Sequence, residues 1–588
     1  IFHCCFFQTV DKIKMIKISL LFITLINVHG ISIEYGQPKA VTKYGEVYGT
    51  IRKINIEQER GCLECPEKSV FFFKGIPYAK PPLGHLRFEK PEPLNYFGTV
   101  NATELKNRCT DFLGDIPKGQ EDCLYMNIAT PSFPPFLGRK FPVMVLIFGG
   151  GFMHGDANEY QSEDFHYRFV TRGIVCISFH YRLGPLGFYT SENSIAPGNY
   201  GMWDQIQGLK FIQEVISNFN GDPKRVTIFG NSAGGGSVSW LTYSHHSKGL
   251  FTQALPYCGM SHSLTTRTNN TFIHSREFEV ALGCQSAENK KKCLKQKSID
   301  QIWSVSHHQF LDMNNTIYNS RWSPVFDDDL FPGDSWFTAS KTAPVIRIFY
   351  GLNLNEDAAF VVDNDKECRH AKYYPIDKQR AESFGKEDLV ESLTYLLSID
   401  NIYKNRSQEA IQKVIDYYLT QGNENPSHKF IQSYVQFYSD IHYSVGAIRE
   451  AKQKAKLGNR VYFYLNNYNT PNYPFANPLI VATGHCAENP YLYGNWSGLE
   501  PPVDVEGYAE YKRIQKDFVD MWVSFVKYGI PSHSGRFLPR VSPHRVPYAL
   551  VDNITVMKDN LWRERSAFWE TIAREYGFDV ITGFPNPY

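Results

Sequence analysis

The chain carries almost no excess charge of either sign. Its 61 Lys and Arg stand against 60 Asp and Glu, a formal net charge of +1. That balance excludes a polybasic face for nucleic acid or for an anionic membrane. Internal repeats and low-complexity linkers are also lacking. Beyond residue 30 no apolar run approaches the ~20 residues that a membrane span needs. The C-terminal residues Gly583 to Tyr588 carry neither a hydrophobic anchor-signal tail nor a retention tetrapeptide. A composition of 43% hydrophobic and 21% charged residues excludes a disordered or collagen-like chain. Aromatic residues, at 15%, suit a large core with aromatic-lined pockets.

The one long apolar stretch lies near the start. Met15 opens a run to Gly30 with a Lys near its beginning, an apolar middle and a small residue at its end. This is the pattern of a secretory signal peptide. Translation is expected to start at Met15, which makes residues 1–14 upstream translated sequence and 15–30 the leader. A membrane anchor is the rival reading, disfavoured because the apolar stretch is short. Six N-x-S/T sequons begin at Asn101, Asn269, Asn314, Asn405, Asn495 and Asn553. Behind a leader, several are expected to be glycosylated surface loops, and the protein is expected to be secreted or held in the secretory lumen.

Of the 12 cysteines, Cys4 and Cys5 fall outside the expected mature chain. The remainder enter an oxidising compartment. Cys109 and Cys123 are close in sequence, as are Cys284 and Cys293. Cys62 and Cys65 form a C-x-x-C in a polar stretch, read as a local disulfide because the segment offers too few ligands for zinc. Cys176 lies in an apolar run and reads as a buried thiol. The state of Cys258, Cys368 and Cys486 stays open.

Short apolar runs bounded by turn residues recur at Val143 to Phe148, Ile174 to Phe179, Val226 to Phe229, Val345 to Tyr350 and Val461 to Leu465. They read as buried strands of a mostly parallel sheet. Ile206, Leu209, Ile212, Ile216 and Phe219 repeat at helical spacing, and Gly221-Asp222-Pro223 ends that helix. A second amphipathic helix carries Ile514, Phe518, Met521, Trp522 and Phe525 and stops at Gly529. Strands alternating with helices predict an α/β fold, a large sheet flanked by helices.

Gly230-Asn231-Ser232-Ala233-Gly234 is a G-x-S-x-G directly between a predicted strand and a predicted helix. A serine on such a turn presents its hydroxyl to a cleft, with the helix N-terminus behind it favouring negative charge. Alone, the pattern is equally a Gly-rich turn that ends a strand. Gly149-Gly150-Gly151 follows the first of those strands, some 80 residues earlier. Glycines there allow backbone N–H groups to converge on an oxyanion. No Lys-Ser/Thr pair follows, and G-x-G-x-x-G spacing is not met, so a nucleotide loop is disfavoured.

The ordered motifs resemble the carboxylesterase type-B family, the cholinesterase-like branch of the α/β hydrolases. They include Phe73 to Gly84 with Arg87-Phe88, Glu121 to Asn127, Tyr181 to Gly184, Asp204-Gln205, and Asn218 to Pro223 leading into Val226 to Gly235. The resemblance runs from about residue 40 to about residue 575 and implies one catalytic domain over 31–588, where length alone would suggest about four. It implies a catalytic acid in Gly351-Leu352-Asn353-Leu354-Asn355-Glu356, hence Glu356, with Asp357 the neighbouring competitor. It implies a base in Gly484-His485-Cys486-Ala487-Glu488, hence His485 among 18 histidines. With Ser232 these follow the chain order of the fold. The N–H groups of Gly150, Gly151 and Ala233 are the implied oxyanion donors. The resemblance further implies disulfides Cys109–Cys123 and Cys284–Cys293, and structural ion pairs Arg87–Glu121 and Arg182–Asp204.

No metal or other cofactor is called for. The implied partner is a small-molecule ester, not nucleic acid, and the oligomeric state stays open. Phe148, Asn231 and Met260 depart from the family pattern and bear on substrate and rate. Two rivals remain: a cholinesterase, against which the loop Thr110 to Asp122 holds no Trp and only Phe112 as an aromatic; and a non-catalytic binding member of the fold, against which the chain keeps all three triad positions.

Overall fold

A computed structural model describes residues 30–54, 68–114, 116–133, 136–191, 194–267, 270–311, 317, 321–363, 372–399, 401–470, 479–481, 483–494 and 505–585. The expected leader apart from Gly30 lies outside them, with Cys4, Cys5, Cys62, Cys65, Cys368 and the sequons at Asn269, Asn314 and Asn495. Asn101, Asn405 and Asn553 are exposed.

An 11-stranded sheet forms the centre. In chain order its strands are β1 (Thr50–Ile54), β2 (Lys68–Pro77), β3 (Tyr125–Pro131), β4 (Phe141–Leu146), β5 (Val175–Phe179), β6 (Gly221–Asn231), β7 (Gln253–Tyr257), β8 (Arg347–Asn353), β9 (Arg460–Asn466), β10 (Tyr548–Val551) and β11 (Val556–Lys558). In space the order is β11-β10-β9-β8-β7-β6-β4-β5-β3-β2-β1. From β10 to β5 every neighbouring pair is parallel. The flanks are antiparallel: β11 on one side, and β3, β2 and β1 on the other. The sheet is therefore mixed, with the parallel runs seen in the sequence at its middle.

Helices cover both faces, so the central strands are buried on both sides and lose the in–out alternation of a half-exposed strand. All six residues of β4 are buried. The helix read from the 200–219 periodicity is α1 (Tyr200–Val215), continued by a 3-10 turn through Phe219. α2 (Ala233–Leu241) follows β6 after a single residue. α3 (Tyr508–Tyr528) ends at Gly529 in the left-handed region, and its Phe518 and Trp522 pack in the main core. A second buried cluster is built chiefly from residues 358–445 with Trp569 to Ile581. Among the described residues no helix is long and apolar enough to cross a membrane.

Both implied ion pairs form. Arg182 and Asp204 meet through two contacts of 2.7 Å, and the Arg182 N–H donates to the same carboxylate at 3.0 Å. Both side chains are buried. They tie the segment after β5 to α1. Arg87 donates to Glu121 at 2.6 Å and to the carbonyl of Lys297 at 2.6 Å, joining the loop closed by Cys109–Cys123 to the segment just after the Cys284–Cys293 disulfide. Cys176, Cys258 and Cys486 are buried free thiols.

Removing one partner of a buried pair strands the other charge at a cost of about 3–5 kcal/mol. Arg182→Ala is expected to lower unfolding stability by that amount in urea titration. A change under about 0.5 kcal/mol would show that the Asp204 carboxylate has no need of this partner.

Candidate active site

The C-terminal ends of the parallel strands share one edge, where open α/β sheets place their ligands. β6 ends at Asn231, and Ser232 stands alone between it and α2. Its φ of 56° and ψ of −129° lie where few non-glycine residues go. The turn has no room for bulk. A Cβ on Gly234 would come within 2.1 Å of the Ile147 carbonyl oxygen, and one on Gly230 within 2.3 Å of the same atom. The Ser232 N–H donates to Tyr257 at the end of β7, at 3.1 Å. Strands on both sides thus hold the serine backbone in its strained conformation.

The loop after β4 comes down on this turn. A Cβ on Gly149 would lie 2.5 Å from the Asn231 carbonyl oxygen and 2.9 Å from the Ser232 Cβ. Gly150 and Gly151 have φ of 115° and 61°. Among the described residues neither of their N–H groups is taken up by a backbone hydrogen bond. The Ala233 N–H is in the first turn of α2, where no intrahelical acceptor exists. Phe148 is fully buried, stacks on Tyr181 at 4.5 Å between centroids and accepts from the Tyr181 hydroxyl at 2.7 Å through its carbonyl. It fills space where the family pattern has a polar ring.

Glu356 follows β8 and is fully buried. One carboxylate oxygen accepts from the Asn353 N–H at 2.7 Å; the other meets His485 Nδ1 at 2.7 Å. The loops that carry the two residues are cross-braced: His485 N–H donates to the Glu356 carbonyl at 2.9 Å, and Asn355 N–H to that of Thr483 at 3.2 Å. Asp357 faces away. It pairs with His442 Nδ1 at 2.9 Å inside the second buried cluster, while His442 Nε2 reaches the Ile317 carbonyl at 2.7 Å. Adjacent carboxylates thus serve two different histidines.

His485 Nε2 is buried and has no hydrogen-bond partner among the described residues. Ser232 and His485 are therefore not bonded to each other in this state. Their neighbours do meet: the Asn231 amide donates to Cys486 Sγ at 3.6 Å. Catalytic hydrogen bonds are often long in unliganded enzymes and tighten around substrate. Burial raises the Glu356 pKa, against the hydrogen bond from His485. For His485 burial opposes the charged ring, but Cys486 and Glu356 outweigh it and raise its proton affinity.

Sequence reasoning took Glu488 only as a motif letter. It is fully buried, accepting from Asn353 Nδ2 at 2.6 Å, from Cys258 Sγ at 3.2 Å and from the Tyr464 hydroxyl at 3.1 Å. The thiol of Cys258 is thus one of the donors to this acid. Burial first, then the nearby Glu356, push the Glu488 pKa up to about 8.

A model of the carboxylesterase family matches residues 36–569. Gut esterase 1 of Caenorhabditis briggsae is 29% identical over 560 residues, 92% of this chain and 94% of that protein. Liver carboxylesterase 1 of Oryctolagus cuniculus is 28% identical, covering 91% of this chain and 94% of that protein. Cholinesterase of Mus musculus is 30% identical, covering 79% and 76%.

An acid whose pKa rises from 4.5 unfolded to about 8 folded contributes stability below pH 4.5 and loses it as pH rises toward 8. Relative to Glu488→Gln, which keeps a donor and cannot ionise, the wild type should lose stability across that window by up to ~1.4 kcal/mol per pH unit. Parallel denaturation curves at several pH values test this, and a constant offset between the two proteins would refute it.

Proposed function

The chain belongs to the carboxylesterase family, and on that premise we propose that it hydrolyses carboxylic esters through Ser232, His485 and Glu356. Ester hydrolysis by a serine hydrolase, on a small-molecule ester, is what the family does; the residue roles are the proposal. The observation that carries it is the 2.7 Å contact of Glu356 with His485 Nδ1, at the strand edge that also bears the strained turn at Ser232.

Glu356 keeps the proton on Nδ1, which leaves the lone pair of Nε2 free to act as base. Ser232 Oγ attacks the ester carbonyl as His485 Nε2 takes its proton. The carbonyl oxygen becomes an anion, held by the N–H groups of Gly150, Gly151 and Ala233; one such donor contributes on the order of 3 kcal/mol at the transition state. His485 returns the proton to the departing alcohol. Water, activated by the same ring, then cleaves the acyl-enzyme and frees Ser232.

The alcohol side favours neutral groups. A choline headgroup needs an aromatic face to offset its lost hydration. Phe112, the aromatic of the loop Thr110 to Asp122, is fully buried, and its ring fills the space beside Gly184. Tyr373 and Tyr374 are buried too, stacked on Tyr395 and Tyr438. Beside the nucleophile Asn231 is uncharged. The leader at 15–30 and the exposed sequons at Asn101, Asn405 and Asn553 support secretion as a glycoprotein of one catalytic domain, residues 31–588.

Purified protein should hydrolyse p-nitrophenyl acetate and be labelled by a fluorophosphonate at Ser232. Ser232→Ala should lower kcat about a million-fold and Glu356→Gln about ten-thousand-fold, with folding intact by circular dichroism. Retained turnover in Ser232→Ala would remove Ser232 from the role.

On substrate choice, kcat/KM for a neutral thioester should exceed that for acetylthiocholine by about tenfold, the equivalent of one missing cation–π contact. A preference for acetylthiocholine would show that another segment builds the cage.

A further inference from the structure

Two free thiols stand beside the proposed base and the hydrolytic cycle uses neither. Cys258 directly follows β7 and Cys486 directly follows His485. An imidazole nitrogen of His485 and the Sγ atoms of Cys258 and Cys486 all lie within 4.8 Å of one another. Both cysteines are buried, and both have left-handed backbones, with φ of 52° and 57°. Such strain persists only where surrounding contacts over-determine the position. Each sulfur is held by a side-chain amide, Cys486 by Asn231 at 3.6 Å and Cys258 by Asn353 at 3.3 Å. The His485 side chain is 9% exposed, and its Nε2 has no partner while Nδ1 is engaged by Glu356.

We propose that Cys258, Cys486 and His485 form an inhibitory site for a thiophilic divalent cation of the zinc type. Two thiolates and an imidazole are a donor set for zinc, with Zn–S near 2.3 Å and Zn–N near 2.0 Å. Tetrahedral angles at those lengths put the sulfurs about 3.8 Å apart and each sulfur about 3.5 Å from the nitrogen, so the three groups close by about 1.3 Å at most around the ion. Binding releases two protons to water, one from the Cys258 thiol and one shared by Cys486 and His485, and the ring enters neutral, its proton on Nδ1 against Glu356 and its Nε2 lone pair on the metal. No electron changes hands. The same lone pair is the one that must take the Ser232 proton, so the bound ion silences hydrolysis and its removal restores it. This consequence rests on the reading of His485 as the base; the metal site itself does not.

The test uses the purified full chain after chelator treatment, with cobalt as the optical probe and zinc as the inhibitor. Wild type should bind one cobalt with a thiolate-to-cobalt charge-transfer band. Zinc should inhibit p-nitrophenyl acetate hydrolysis at concentrations at least tenfold lower than in Cys258→Ser or Cys486→Ala, each measured against its own metal-free rate. A chelator should reverse the inhibition. Should one variant fail to fold, the other and the wild-type band decide. Absence of the band, equal zinc sensitivity in wild type and variants, or an inactivation reversed by a thiol reductant and not by a chelator would overturn the site; the last result would mark a Cys258–Cys486 disulfide instead. Cobalt binding lost in the variants, together with a metal-loaded wild type that still turns over, would keep the site and remove His485 from the role of base.

Discussion

Three backbones must meet at van der Waals contact beneath Ser232, and most of the molecule is arranged to permit it. The strand-to-helix turn has Ile147 of the neighbouring strand segment against it, the carbonyl of Tyr257 pinning its N–H from the other side, and the loop of Gly149 above it. A side chain at Gly230 or Gly234 would separate these layers. The strain at Ser232 is sustained by parallel pairing of β6 with β4 and β7, each buried on both faces. Local distortion is thus underwritten by sheet and core rather than by anything in the turn itself.

The acid–base half of the site follows a different logic, one of buried charge. Glu356, Asp357 and Glu488 are all fully withdrawn from solvent. Isolated ionised carboxylates would be costly there, so each has its own partners. Glu356 takes a backbone N–H and His485, Asp357 takes His442, and Glu488 takes an amide, a phenol and a thiol. With a pKa near 8, Glu488 avoids placing a second negative charge next to Glu356 at neutral pH.

Much of this was legible in the chain. The five apolar runs became central parallel strands because burial on both faces leaves a continuous hydrophobic signature. Glu356 and His485, reached through family likeness, do meet. The antiparallel flanks were not legible: a strand such as Tyr125–Pro131 carries no mark of which way its neighbour runs. Nor could periodicity say that Asp357 would turn to His442 rather than His485, since a one-residue step along a loop reverses direction. The convergence of Cys258 with Cys486 was hidden for a related reason. The residues are far apart in sequence, and only the register of β7, β8 and β9 brings their strand ends together.

The gathering of the ends of β6, β8 and β9 at one edge of the sheet also sets a schedule for biosynthesis. Ser232 and the Gly149–Gly151 loop precede Glu356 in the chain, and His485 lies beyond β9. Parallel pairing depends on contacts between distant segments, so the edge is complete only after the last of its strands has docked. A nascent polypeptide that has already formed the serine turn still lacks the histidine proposed to activate it. On the roles proposed for these residues, the hydrolase stays catalytically silent until the segment beyond β9 has been made and has docked.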